Sequence, residues 1–282
     1  MTKNIFILLF LLTLAGCKSA TQYGFPESLI PKVSNNDSDS YSFVILGNYL
    51  DRTTYAPIIE HKANNQIFYM AIDTGASFSA FLRPKVEQLV SDEVLKMAEQ
   101  FTPYSENRIT IDFTGEDLKY TIDPLGKNTT GEKYNYFDGF LGEDYLMKFK
   151  NVVFDYTKCK FYVNQEPICE KTVPMYKHNE ADIFLMDIEV NGEKTKAIID
   201  TGCKFIFLGI LENQKVKNNE INYADIKIGD VKFNHIEIGT TDELITNEKA
   251  FEIMESYNII GYPCFKDHVI QLDFEHNKFR IK

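Results

Sequence analysis

The sequence predicts a mostly β protein made of two copies of one unit, with a few short helices set among many short strands. Three observations predict it. The string "FYMAIDTGASFSAFL", Phe68 to Leu82, has a relative in "KAIIDTGCKFIFLG", Lys196 to Gly209. The 282 residues include 22 Phe and 16 Tyr, a composition that favours strands over disorder. Turn signals separate short apolar runs, and Asn191-Gly192 is the strongest of them, because both central residues of a tight hairpin turn must accept positive φ.

The chain opens on "MTKNIFILLFLLTLAGC". Its apolar run from Ile5 to about Leu14 is too short to span a bilayer, which needs roughly 20 apolar residues, but it suits the core of a secretory signal. Leu14-Ala15-Gly16-Cys17 resembles the bacterial lipobox. That resemblance implies a signal peptide over 1–16, a diacylglyceryl group on the Cys17 thiol, and a lipid anchor in a bacterial membrane. Lys18 stands where an inner-membrane retention signal would resemble Asp, so the expected location is the cell envelope at the outer membrane.

Residues 17–40 contain "SNNDSDS", Pro26 and Pro31, with little apolar periodicity, and read as a tether. The first folded unit is expected over 41–165, a linker with Pro167 and Pro174 over 166–179, and the second unit over 180–282.

Each unit begins alike. Ala56–Ser77 gives an apolar run, a turn at Asn64-Asn65, a second run and then Asp73-Thr74-Gly75; Asp182–Cys203 gives a run, the Asn191-Gly192 turn, a run and then Asp200-Thr201-Gly202. Each also ends alike. Phe137–Val163 matches Tyr257–Lys282, setting Leu141-Gly142 against Ile260-Gly261, Asp155 against Asp273, and Lys160-Phe161 against Lys278-Phe279. Between these landmarks, Val86–Phe101 and Asn247–Asn258 have helical spacing, while Asn107–Asp123 and Asp225–Gly239 read as hairpins.

Two acidic turns, one from each repeat, have a definite chemistry. Two carboxyls a few ångströms apart cannot both ionise, so they hold one proton between them and supply an acid and a base together. Gly75 and Gly202 permit close backbone approach at the turns. The hydroxyls of Thr74 and Thr201 can lock the two loops together.

Apolar-apolar-Asp-Thr-Gly followed later by apolar-apolar-Gly, twice over, resembles the pepsin and retropepsin clan of aspartic proteases, in its short bacterial retropepsin-like form. The likeness runs over nearly the whole chain after about Ser40. It implies a two-lobed pepsin-like acid protease fold built from two retropepsin-like β-barrel repeats. Phe140-Leu141-Gly142 and Ile259-Ile260-Gly261 would thread beside the Asp loops. It further implies an aspartic endopeptidase in which Asp73 and Asp200 activate water on a peptide or protein substrate, acting as a monomer without metal or organic cofactor. A flap is expected within Asn107–Ile122.

Ala76 and Cys203 depart from the clan's usual Ser or Thr after Asp-Thr-Gly. Without those donors the dyad is expected to work at mildly acidic to near-neutral pH. The alternative reading is a non-catalytic envelope lipoprotein that binds peptides or a protein partner in the same cleft.

The formal charge of −11 offers no basic stripe for nucleic acid, and the five His show no ligand spacing for a metal. Apart from Cys17, four Cys remain, which allow three pairings. Cys159 with Cys169, which are near in sequence, and Cys203 with Cys264 are the pairings considered, against buried free thiols.

Overall fold

The structure, a computed structural model, describes residues 40–45, 55–63, 66–82, 110–112, 119–123, 137–178, 183–209, 222–239 and 257–282. In the first half, strands β1 (Ser40–Val44), β2 (Ile58–Ala63), β3 (Gln66–Ile72), β4 (Ala80–Leu82), β5 (Thr110–Asp112), β6 (Lys119–Asp123) and β7 (Gly139–Leu141) precede the single-turn helix α1 (Glu143–Leu146). Strands β8 (Asn151–Asp155) and β9 (Lys160–Val163) follow. The second half runs β10 (Val173–Lys177), β11 (Phe184–Val190), β12 (Glu193–Ile199), β13 (Tyr223–Ile228), β14 (Val231–Glu237), β15 (Asn258–Ile260), helix α2 (Tyr262–Phe265), β16 (Val269–Asp273) and β17 (Lys278–Ile281).

The two halves repeat one pairing scheme. Hairpin β2–β3 corresponds to β11–β12, and the parallel pair β3–β7 to the parallel pair β12–β15. β1 pairs with β9 and β2, as β10 pairs with β17 and β11. The β11–β12 turn places Asn191 at φ 50° and Gly192 at φ 87°, the left-handed pair that a two-residue hairpin demands. Hairpin β13–β14 turns at Gly229, φ 59°, and β5 pairs antiparallel with β6.

The halves join through β8 and β16, which run antiparallel in register from Asn151↔Asp273 to Asp155↔Val269, with Val153↔Gln271 at the centre. Since Asp155 corresponds to Asp273 in the repeat, Val153 corresponds to Gln271, and this pair lies on a pseudo-two-fold axis. The order β1-β9-β8-β16-β17-β10 is therefore one antiparallel layer shared by both repeats. This corrects the expectation of β-barrel repeats. The strands form one large mixed sheet not closed into a barrel, because the edge of β8 that would close the first unit on itself is taken by β16. The segment read as a linker also contains β10, which extends this shared layer.

The core follows from the aromatic content. Phe154, Phe161, Phe265 and Phe279 are fully buried in one cluster that draws on both halves, each contributing roughly 1.5–3 kcal/mol by burial. Strands β3 and β12 both run from the surface inward: Ile67 is exposed while Met70 to Ile72 are buried, and Glu193 and Lys194 are exposed while Ala197 to Ile199 are buried. Each strand thus carries the acidic residue that follows it into the interior.

Several expectations fall outside the described residues: the signal peptide and Cys17, the tether up to residue 39, the Asn64-Asn65 turn, the helix over Val86–Phe101, and residues 247–256 of the second helical segment. The turn of the expected flap, 113–118, lies outside them too. Asn258 opens a strand, β15, where the spacing predicts the end of a helix. Among the described residues, no helix is long and apolar enough to cross a membrane.

Candidate active site

The two Asp-Thr-Gly turns meet at the pseudo-two-fold axis. β3 delivers Asp73 and β12 delivers Asp200, and each carboxyl is buried, 1% and 0% exposed. The turns are held from behind by the later Gly segments: Asp73 N–H donates to Leu141 O at 3.0 Å, and Asp200 N–H to Ile260 O at 3.0 Å. Beyond them, Glu143 N–H donates to Ala76 O and Tyr262 N–H to Cys203 O. Gly142 and Gly261 are required by this approach, since a Cβ on either would stand 2.4 Å from a carbonyl oxygen of the opposing loop, Phe78 O or Cys203 O.

Thr74 and Thr201 interlock the loops. Thr74 N–H donates to Thr201 Oγ1 at 3.1 Å and Thr201 N–H to Thr74 Oγ1 at 3.0 Å. Each hydroxyl then donates across the pseudo-axis, Thr74 Oγ1 to Ile199 O at 2.8 Å and Thr201 Oγ1 to Ile72 O at 2.9 Å. Four buried hydrogen bonds between the repeats fix the relative position of the two acids.

Within each turn the Gly N–H donates to its own Asp, Gly75 to Asp73 Oδ1 at 2.9 Å and Gly202 to Asp200 Oδ1 at 2.8 Å. Each Gly also faces the opposite carboxyl. A Cβ on Gly75 would lie 2.6 Å from Asp200 Cγ, and one on Gly202 would lie 3.1 Å from Asp73 Cγ. The contacts place two carboxyls from different repeats in one enclosed space.

Electrostatics follows from that enclosure. Burial raises Asp73 to about 6, while the Gly75 N–H, Asp200 and the Ala76 N–H hold it from rising further. Asp200 is pushed well above the usual carboxylate range, first by burial and then by the charge of Asp73. The pair ionises as a unit that keeps one proton after losing the other.

Further polar groups around the turns were not singled out by the sequence. Ser79 Oγ donates to Asp144 Oδ1 at 2.6 Å and accepts from Gly142 N–H at 3.1 Å, tying the end of the Asp73 loop to α1. Glu143, first in α1, is 1% exposed and neither carboxyl oxygen has a hydrogen-bond partner. Burial raises its pKa well above the ordinary value, Lys177 and the nearby Phe184 N–H work against that rise, and Asp144 and Asp73 add to it. No spacing rule reveals such a residue, because its burial depends on β10 and β11 of the other half. The later of the two repeats gives one hint, placing Tyr262 where the first has Glu143.

Both disulfide pairings are corrected: Cys159, Cys169, Cys203 and Cys264 are free thiols. Cys203 packs among Ile183, Leu185, Ile198, Phe207 and Ile259, whereas Cys264 belongs to the main core, so the Gly261 segment separates them. Cys159 sits at φ 52° in the β8–β9 turn, and the Cys169 thiol turns toward Lys171 O and Ile281 O.

Comparison with protein-family models and with curated proteins gave no match. The chemistry of the site therefore rests on its geometry. Among the described residues, no group of three or more His, Cys, Asp or Glu is placed to hold a metal ion. A cavity of about 430 Å³ lies apart from the dyad, against β10, β11, β12 and β13, and contains none of the candidate site residues. Four of its five charged lining residues are already paired, Lys196 with Asp187 at 2.9 Å and Lys227 with Glu189 at 2.6 Å.

Proposed function

We propose that the protein is an aspartic endopeptidase with a two-lobed pepsin-like fold, in which Asp73 and Asp200 share one site. The observation that carries the reading is the threonine interlock, which sets two buried carboxyls from separate repeats against each other's glycine. One carboxyl of such a pair is ionised while the other keeps its proton. The ionised member takes a proton from an attacking water. The protonated member gives its own to the peptide carbonyl oxygen, forming a tetrahedral gem-diol, and the leaving nitrogen is protonated as the C–N bond breaks.

Both acids are closed off from solvent in this structure, so a peptide reaches them only when the chain covering them moves aside. The β5–β6 pair is the candidate for that cover. Asp73 raised to about 6 supports a working range reaching toward neutral pH. A lipid on Cys17, placing the enzyme in a bacterial envelope at the outer membrane as a monomer acting on peptides or proteins, belongs to the same proposal.

The test is digestion of a mixed peptide library by the full chain across pH 3 to 8, with products read by mass spectrometry. Cleavage with activity persisting above pH 5 supports the reading. Peptides retained intact by folded protein would replace it with a peptide-binding lipoprotein.

A further inference from the structure

Two polar groups that face each other across the junction of the repeats both lack partners. The Glu143 side chain, on α1 of the first repeat, is buried with neither carboxyl oxygen hydrogen-bonded. The backbone donor that acts on this carboxyl is the Phe184 N–H, at the start of β11 in the second repeat. A buried polar group left in this state costs roughly 1–3 kcal/mol, so the pair calls for an explanation.

Neither strand beside β11 takes that N–H. His178 N–H donates to Ile183 O at 2.8 Å, which makes Lys177↔Phe184 a non-bonded pair of the antiparallel ladder and turns the Phe184 N–H away from β10. On the other side the β11–β12 ladder stops at Leu185↔Ile198, and the next carbonyl, Ile199 O, accepts from the Thr74 hydroxyl at 2.8 Å. The N–H is left facing α1.

The repeat supplies a control. Asp73 corresponds to Asp200 and the hairpins before them are equal in length, so Phe184 corresponds to Pro57, which has no N–H. Gly142 corresponds to Gly261, so Glu143 corresponds to Tyr262, whose ring packs on Tyr55 at 4.9 Å and on Tyr156 at 6.1 Å. An acidic acceptor stands where the opposite hairpin begins with a donor, and an aromatic ring where it begins with proline.

We propose that Glu143 is a positioning residue whose carboxylate accepts the Phe184 N–H across the junction and ties the Asp73 turn to the hairpin that delivers Asp200. On one side the tie is anchored by Glu143 N–H on Ala76 O at 2.8 Å, and Ala76 N–H reaches Asp73 O at 3.3 Å. On the other, Phe184 leads through β11 and its partner β12 to Asp200. The tie is operated by a proton. A carboxylate accepts an N–H roughly twice as strongly as a neutral acid, so the bond closes as Glu143 ionises and loosens as it is protonated. Lys177 from β10 favours ionisation, while Asp144 on α1 and Asp73 from the turn oppose it. With burial, they set the change above the ordinary carboxylate range.

The tie is read without catalysis, and only its effect on rate rests on the proposed function. Amide NMR of the full chain, from about pH 4 to 8, follows the Phe184 N–H in wild type, Glu143→Gln and Glu143→Leu, beside the side-chain carboxyl carbon of Glu143 in wild type. The Phe184 proton is expected to move downfield as pH rises, with the same midpoint as the Glu143 carboxyl carbon. That titration disappears in both Glu143 variants and persists in Asp73→Asn with a lower midpoint. Where the peptide library is cleaved, kcat of Glu143→Leu falls severalfold below wild type above the midpoint and matches it below, while KM holds. A Phe184 amide that ignores pH in wild type, or that titrates equally in Glu143→Gln, would overturn the tie whatever the enzyme does. An uncleaved library with the Phe184 titration present would remove the enzymatic reading and leave the tie.

Discussion

Glu143→Gln makes a prediction whose sign comes from the structure. Glu143 is buried, its two oxygens have no partner, and burial holds its pKa well above 4.5. Asp144 on its own helix and Asp73 on the neighbouring loop add to the rise, and Lys177 on β10 and the Phe184 N–H on β11 oppose it. The folded chain therefore binds this proton more tightly than the unfolded chain does. The stability it contributes is complete below the unfolded pKa and falls as pH rises, by about 1.4 kcal/mol per unit, until the folded group ionises. Gln keeps the shape and cannot ionise. The stability of Glu143→Gln minus that of wild type should thus grow between pH 5 and pH 6.5, at up to about 1.4 kcal/mol per unit. Urea denaturation of the two proteins at four pH values across that interval measures it. A difference that stays constant with pH, or shrinks as pH rises, would refute the reasoning.

Other perturbations follow from the same contacts. Thr74→Val leaves the Thr201 N–H and Ile199 O without their partner and should cost about 2–5 kcal/mol in denaturation, while Thr74→Ser should cost under about 1. Gly75→Ala forces a methyl to 2.6 Å from Asp200 and should disrupt the site more than Gly202→Ala, whose methyl meets Asp73 at 3.1 Å; carboxyl NMR shifts of the two variants rank them. Asp273→Asn removes the countercharge of the buried Arg280, whose guanidinium bonds Asp273 at 2.9 Å and otherwise only Gln271 among the described residues, and should lower stability by about 3 kcal/mol in urea denaturation, against a small change for exposed Lys150→Gln.

How much could be read from the sequence depended on whether a feature is local or assembled. The hairpins, the parallel Gly segments and the pairing of Asp73 with Asp200 follow from motifs that recur in order, each encoded within a few residues. Barrel closure was not local: whether β8 closes its own repeat or pairs with β16 depends on two strands 118 positions apart in the repeat, and their inward faces look alike in either case. The disulfides failed for a related reason, since an even number of Cys says nothing about which side of a strand each thiol takes. Glu143 was hidden because a lone Glu after Gly is ordinary in sequence. Only the fold shows that it is buried beside the Asp73 turn.

The central claim is that two acids from two repeats make one catalytic unit. Cleavage rates of wild type, Asp73→Asn, Asp200→Asn and the double variant, measured on one library-derived peptide near pH 5, test it most directly. The account predicts that each single substitution falls to the same floor as the double, because neither carboxyl works without the other. Substantial activity in either single variant, with a further loss in the double, would contradict it.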